Sequence, residues 1–167
     1  MNDIQLVFPV DVPNLREGYA LMEEVGPSID LPKVGLQLIH SEGTPAVAAM
    51  ANAFGKPPFA DVKLNDIPNT VRGAARALAR HNLAYINVMA SGGRPMMEAA
   101  MEGAELGAKQ WGIRRPGVIA VTVLTSLKLE HLVELGICPP SIALLSFEQQ
   151  QAFIATMSEE EQQKAIT

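Results

Sequence analysis

The sequence predicts an α/β fold of repeated strand-helix units, and two observations carry that prediction. Apolar runs too short for helices alternate with longer stretches of helical period from residue 4 to about residue 136. Most of the short runs carry Val, Ile and Leu on both faces, as strands covered on each side must.

The expected strands are IQLVFPVDV (4–12), LPKVGLQLI (31–39), PPFADVKL (57–64), LAYINVMA (83–90) and GVIAVTVLT (117–125). Helices are expected near 15–25, 44–54, 68–80, 95–110 and 127–135. Asn14 with Glu17 three residues on has the form of a capping box, and Gly26 and Gly136 stand where helix C-caps belong. Met96, Met97 and Met101 have helical spacing and are expected in the core. Beyond the CPP at 138–140 the chain becomes rich in Gln and Glu. It is expected to form two short amphipathic helices, with possible boxes at Ser146/Gln149 and Ser158/Glu161 and with Phe147, Phe153, Ile154 and Met157 inward. The expected organisation is therefore a strand-helix domain over 1–137 and a helical tail over 138–167.

Composition narrows the function. The 167 residues hold 13 Lys and Arg against 18 Asp and Glu, a net charge of −5, with 5% aromatics and no basic run. Neither a phosphate-tracking groove nor a base-stacking platform is indicated, so nucleic acid is not an expected partner. No apolar run approaches the ~20 residues of a membrane helix, and the N-terminus lacks a signal-peptide pattern, so the expected location is the cytoplasm without a membrane partner. Cys138 is the single cysteine, which excludes an internal disulfide, and His40, His81 and His131 lack ligand spacing, so no metal is expected.

In repeated βα folds, ligands gather at the carboxyl ends of the strands. Asp11 lies near the end of the first expected strand, Asp61 and Lys63 near the end of the third, and Thr125 at the end of the fifth. Lys33 falls early in the second. Two residues apart on an extended strand, Asp61 and Lys63 share a face, and Asp66 follows on the loop beside Pro68. Spacing alone leaves two readings open, a structural ion pair and a functional charge array. Ser91-Gly92-Gly93 likewise reads either as a turn into a helix or as a small anion-binding nest.

The stretch DVKLNDIPNT (61–70) resembles the signature of the orotidine 5'-monophosphate decarboxylase family, an Asp-x-Lys-x-x-Asp core followed by Ile-Pro-x-Thr. The core alone is shared with sugar-phosphate decarboxylases and hexulose-phosphate synthases; the IPNT favours the orotidylate branch. VDVPN, KVGLQLIHSEG, NVMASGGRPMMEAA and GVIAVTVLTSL agree with the family in order and spacing, so the resemblance covers about residues 5 to 137. Asn65 and Met89 stand where the family commonly has histidine.

The resemblance implies a (β/α) TIM barrel, here incomplete with about five βα units and a helical tail. It implies a cofactor-free lyase of pyrimidine biosynthesis that converts orotidine 5'-monophosphate to uridine 5'-monophosphate and CO2, in a homodimer with shared sites. Residue by residue, Lys63 resembles the proton donor to C6, Asp61 the carboxylate beside the substrate's own, and Lys33 the lysine that completes the array. Asp66 with Thr70 resembles the pair that reaches into the neighbouring subunit's site. Asp11, Ile67 and Thr125 match substrate-binding positions. No counterpart of the family's phosphate-gripping Gly-Arg loop follows residue 125, and IRRP at 113–116 is misplaced for it. The expectation is therefore an activity reduced or lost by truncation, with edges of the first and fifth strands left unpaired. The alternative is a non-catalytic barrel fragment that associates with itself or with a homologue.

Overall fold

The computed structural model describes residues 4–138, and the expected tail helices lie outside them. Five strands form one sheet in the order β1-β2-β3-β4-β5: Val7–Pro9, Leu31–Val34, Phe59–Leu64, Tyr85–Met89 and Gly117–Val121. The pairings of β1 with β2, β2 with β3 and β3 with β4 are parallel. Sequential order with a helical crossover between neighbours is the arrangement of consecutive units of a βα barrel, as expected. Among the described residues β1 and β5 are the two edges.

The helices are α1 (Leu15–Val25), α2 (Leu36–Glu42), α3 (Pro45–Phe54), α4 (Pro68–Ala79), α5 (Gly93–Trp111) and α6 (Leu129–Glu134). Their starts follow from local chemistry. Asn14 accepts from the Glu17 N–H at 3.0 Å and caps α1; the Glu17 carboxylate returns to the Asn14 side-chain amide at 2.9 Å rather than to its backbone. Pro45 and Pro68 each occupy the first helical position of α3 and α4, where a missing N–H is harmless. Gly26 ends α1 in right-handed geometry and leads into a short 3-10 turn over Gly26–Ser28.

All five strands are shorter than the expected runs, and in two the remainder takes another form. The run 31–39 leaves the sheet at Gly35, and Leu36–Glu42 is helix α2 with Leu38 buried. Its Leu and Gln are strong helix formers, and so short an apolar run carries no decisive period. The run 117–125 is strand only to Val121, and Thr125 lies in the exposed turn that Leu127 N–H closes on Leu124 O at 2.9 Å.

The core of the strand-helix body joins Val10, Val34, Ala60 and Ile86 from the strands and their flanks with Met22, Leu38, Val47, Met50, Ala75 and Ala104 from the helices. On α5 the inward face is Met96, Ala99, Ala100, Gly103, Ala104, Gly107 and Ala108, whereas Met101 is half exposed, contrary to expectation. A one-residue step on a helix turns a side chain by ~100°, and Met101 directly follows the buried Ala100. Small residues on that face draw α5 onto α4: a Cβ at Gly103 would stand 2.2 Å from the Arg72 carbonyl oxygen. The chain divides into two compact units after Ala120, the second beginning at Val121. There Gly136 adopts φ 71 just past α6, with Ile137 N–H on Leu132 O at 2.8 Å.

Candidate active site

Four of the residues singled out by sequence meet at the carboxyl ends of β1 to β3. Lys33 Nζ stands 4.0 Å from Asp11 Oδ1 and 2.8 Å from Asp61 Oδ2, and Lys63 Nζ stands 2.5 Å from Asp61 Oδ1. The charges thus alternate from Asp11 through Lys33 and Asp61 to Lys63. Exposure falls inward: the Asp11 side chain is 56% accessible, those of Lys63 and Lys33 31% and 22%, and that of Asp61 only 11%.

Strand register explains the convergence. Lys33 pairs with Phe59, and Pro9 with Lys33, so Asp11 and Asp61 each lie two residues beyond a partner of Lys33 and flank its ammonium. Gly35 is part of the arrangement, since a Cβ there would come within 2.8 Å of Asp11 Oδ1.

Lys63 departs from the extended strand that the spacing suggested. Its φ is 47, a left-handed value that costs a residue with a side chain on the order of 1 kcal/mol or more. The pairing of β3 with β4 slips at this point. Ala60 faces Ile86 and Leu64 faces Val88, so four steps along β3 match two along β4. This bulge turns Lys63 so that its ammonium folds back onto Asp61.

Asn87 on β4 is the site residue that sequence reasoning passed over. It is 2% exposed, its Nδ2 donates to Asp61 Oδ1 at 2.6 Å, and its Oδ1 accepts the Lys63 N–H at 2.7 Å. A lone amide in the otherwise apolar YINVM was the available signal.

Burial by itself would raise the Asp61 carboxyl, but hydrogen bonds from Lys33, Lys63 and Asn87 and the Lys33 charge outweigh it. The pKa falls from 3.8 to about 2. Asp61 is therefore a carboxylate at any physiological pH, and the arrangement offers one buried anion clamped between two ammonium groups.

Asp66, Ile67 and Thr70 do not join this cluster. They are exposed on the loop and first turn after β3, where Asp66 Oδ1 accepts the Ile67 N–H at 2.6 Å. A cleft of about 960 Å³ opens at the opposite end of the sheet, among Leu31, Ala84, Tyr85 and Gly117, and contains none of the four charges. Among the described residues no helix is long and apolar enough to cross a membrane.

Fold and cluster together define a βα-barrel protein with an alternating lysine-carboxylate array at the carboxyl ends of its strands. Residues 5–165 match the Orotidine 5'-phosphate decarboxylase / HUMPS family. The chain is 42% identical over 134 residues to the orotidine 5'-phosphate decarboxylase of Moorella thermoacetica, covering 80% of this chain and 53% of the relative. It is 42% identical over 137 residues to that of an Anaeromyxobacter species, covering 81% and 56%. Among solved structures it resembles the orotidine 5'-phosphate decarboxylase of Lactobacillus acidophilus, with a TM-score of 0.71 at 29% identity over 84% of this chain and 63% of that one. It also resembles a Methanocaldococcus jannaschii orotidine 5'-monophosphate decarboxylase complexed with the inhibitor BMP, with a TM-score of 0.60 at 27% identity over 71% and 51%. The chain belongs to the Orotidine 5'-phosphate decarboxylase / HUMPS family, and it spans about half the length of the curated relatives it matches.

Proposed function

We propose that this chain carries the catalytic charge array of an orotidine 5'-monophosphate decarboxylase, a cytoplasmic lyase of de novo pyrimidine biosynthesis. The observation that supports this most is the run Asp11, Lys33, Asp61, Lys63 within 4.0 Å contacts at the carboxyl strand ends of a chain of this family. In the proposed reaction the bond between C6 and the substrate carboxyl carbon breaks, CO2 leaves, and the electron pair stays on C6. The Lys63 ammonium stabilises that carbanion and transfers its proton to C6, giving uridine 5'-monophosphate; water then reprotonates the amine. Asp61, ionised well above its pKa of about 2, has no proton of its own to give C6. It fixes both lysines and places negative charge beside the substrate carboxylate, a repulsion that departing CO2 relieves. Asp11 and Lys33 bind the ribose hydroxyls and complete the array, and Thr125 contacts the base. Asp66 and Thr70, exposed and outside the cluster, serve the partner's site in a homodimer, and Ile67 is a substrate-binding position.

The test is loss of orotidine 5'-monophosphate absorbance with purified protein, with Lys63→Ala as control. Activity in wild type and none in folded Lys63→Ala is expected; turnover that survives in Lys63→Ala would move the chemistry elsewhere. For the shared site, folded Lys63→Ala and Asp66→Asn, each inactive, should recover roughly a quarter of intact sites after refolding together.

The second reading, a non-catalytic fragment that acts by association, draws on the edge positions of β1 and β5. It predicts a stable oligomer by gel filtration with no uridine 5'-monophosphate binding by calorimetry.

A further inference from the structure

Lys63 lies in the β3 bulge between the paired Ala60 and Leu64 and has no register partner on β4, and left-handed backbone at a lysine needs something to hold it. The neighbouring strand supplies it from a side chain. Ala60 and Ile86 are paired, so Asp61 and Asn87, one step further on each strand, lie side by side. From there the Asn87 carboxamide touches both halves of the array: Oδ1 takes the Lys63 N–H at 2.7 Å, and Nδ2 gives to Asp61 Oδ1 at 2.6 Å. The amide fits only this way round. Flipped, it would set NH2 against N–H and oxygen against carboxylate, two donors facing and two acceptors facing. At 2% exposure no solvent could compensate such a mismatch.

We propose that Asn87 is a positioning residue of this site, a two-ended clamp that holds the Lys63 bulge with its oxygen and the Asp61 carboxylate with its nitrogen. What it positions for catalysis rests on the decarboxylase reading; the clamp itself does not. One end sets where the ammonium is aimed, and the other removes a rotational freedom of the carboxylate that both lysines share. The lowered Asp61 pKa, to which Asn87 contributes, agrees with the second role.

Asn87→Asp and Asn87→Ala separate the two ends. Aspartate keeps an oxygen for the Lys63 N–H but sets a carboxylate against Asp61; alanine removes both contacts. The readouts are amide hydrogen exchange at Lys63 and the carboxyl-carbon NMR titration of Asp61, assigned with Asp61→Asn, together with kcat and KM for orotidine 5'-monophosphate.

In Asn87→Ala, Lys63 exchange should accelerate at least about tenfold and the Asp61 midpoint should rise by about one unit. In Asn87→Asp, Lys63 exchange should stay slow while the Asp61 titration moves up and becomes coupled to that of the new acid. kcat should fall by about 10²-fold in both, with KM changed far less. A residue that merely fills space would shift melting temperature in both variants and leave the Lys63 exchange and Asp61 midpoint of the folded protein unmoved, which overturns the clamp. If Asn87→Ala does not fold, the isosteric Asn87→Asp decides alone: fast Lys63 exchange or an unmoved Asp61 midpoint in it refutes the proposal. Absence of decarboxylation in wild type refutes the functional reading and leaves the exchange and titration results to judge the clamp.

Discussion

Replacing Asp61 by Asn tests the electrostatic centre of the site without reference to catalysis. The folded carboxyl titrates at about 2 against an ordinary 3.8. Its pKa is depressed in the fold, so the unfolded chain binds the proton more readily as pH falls. The carboxylate's contribution is thus complete above about pH 4 and disappears as pH passes down through 2. At about 1.4 kcal/mol per unit the difference corresponds to about 2 kcal/mol, an order-of-magnitude figure for a side chain only 11% accessible. Asparagine keeps the shape and an acceptor but lacks the charge, and it leaves the Lys33 and Lys63 ammonium groups without their shared counter-ion. Urea unfolding of wild type and Asp61→Asn, run in parallel at pH 6, 4, 3 and 2, measures the gap in stability at each pH. The gap should be largest at pH 6 and 4, and it should narrow by about 2 kcal/mol toward pH 2 as the wild-type carboxylate takes up its proton. A gap constant across that range would refute the assignment of the low pKa to Asp61 and, with it, the picture of one anion clamped by two cations.

Gly103→Ala places a methyl group 2.2 Å from the Arg72 carbonyl oxygen, a backbone atom that cannot move alone. Separation of α4 and α5 should cost about 1–3 kcal/mol despite alanine's better helix propensity, read by thermal or urea unfolding. Gly35→Ala crowds Asp11 Oδ1 at 2.8 Å, but Asp11 is exposed enough to swing away. Stability should change by less than about 1 kcal/mol, while uridine 5'-monophosphate affinity measured by calorimetry falls several-fold. His81 is held below its ordinary 6.5 by burial and by the neighbouring Arg80 charge. Because the fold favours the neutral ring, stability is lost as pH drops below 6.5, so the melting temperature of His81→Gln should decline less than that of wild type between pH 7.5 and 5.

The alternation of strands and helices could be read along the chain because it depends on period and on turn chemistry. Asn14 and Gly136 mark their helix ends through bonds to residues a few positions away, and Pro45 and Pro68 through their own fixed backbone and missing N–H, so local sequence suffices for them. Asp11, Asp61 and Lys63 were likewise legible, since charged residues near the ends of apolar strands have few inexpensive places to go, whereas Lys33, early in its run, joined them only through the family resemblance. Residues 36–39 misled because Leu and Ile serve strand and helix alike, and only packing of Leu38 into the core selects between them. The bulge at Lys63 was beyond the reach of sequence for a different reason. Strand spacing put Lys63 on the same face as Asp61, but where its ammonium points is set by the slip between β3 and β4, and that slip is fastened by Asn87, 24 residues further along. Local propensity disfavours left-handed backbone at lysine; it is the register of a neighbouring strand, and a buried amide whose two ends need opposite partners, that impose it.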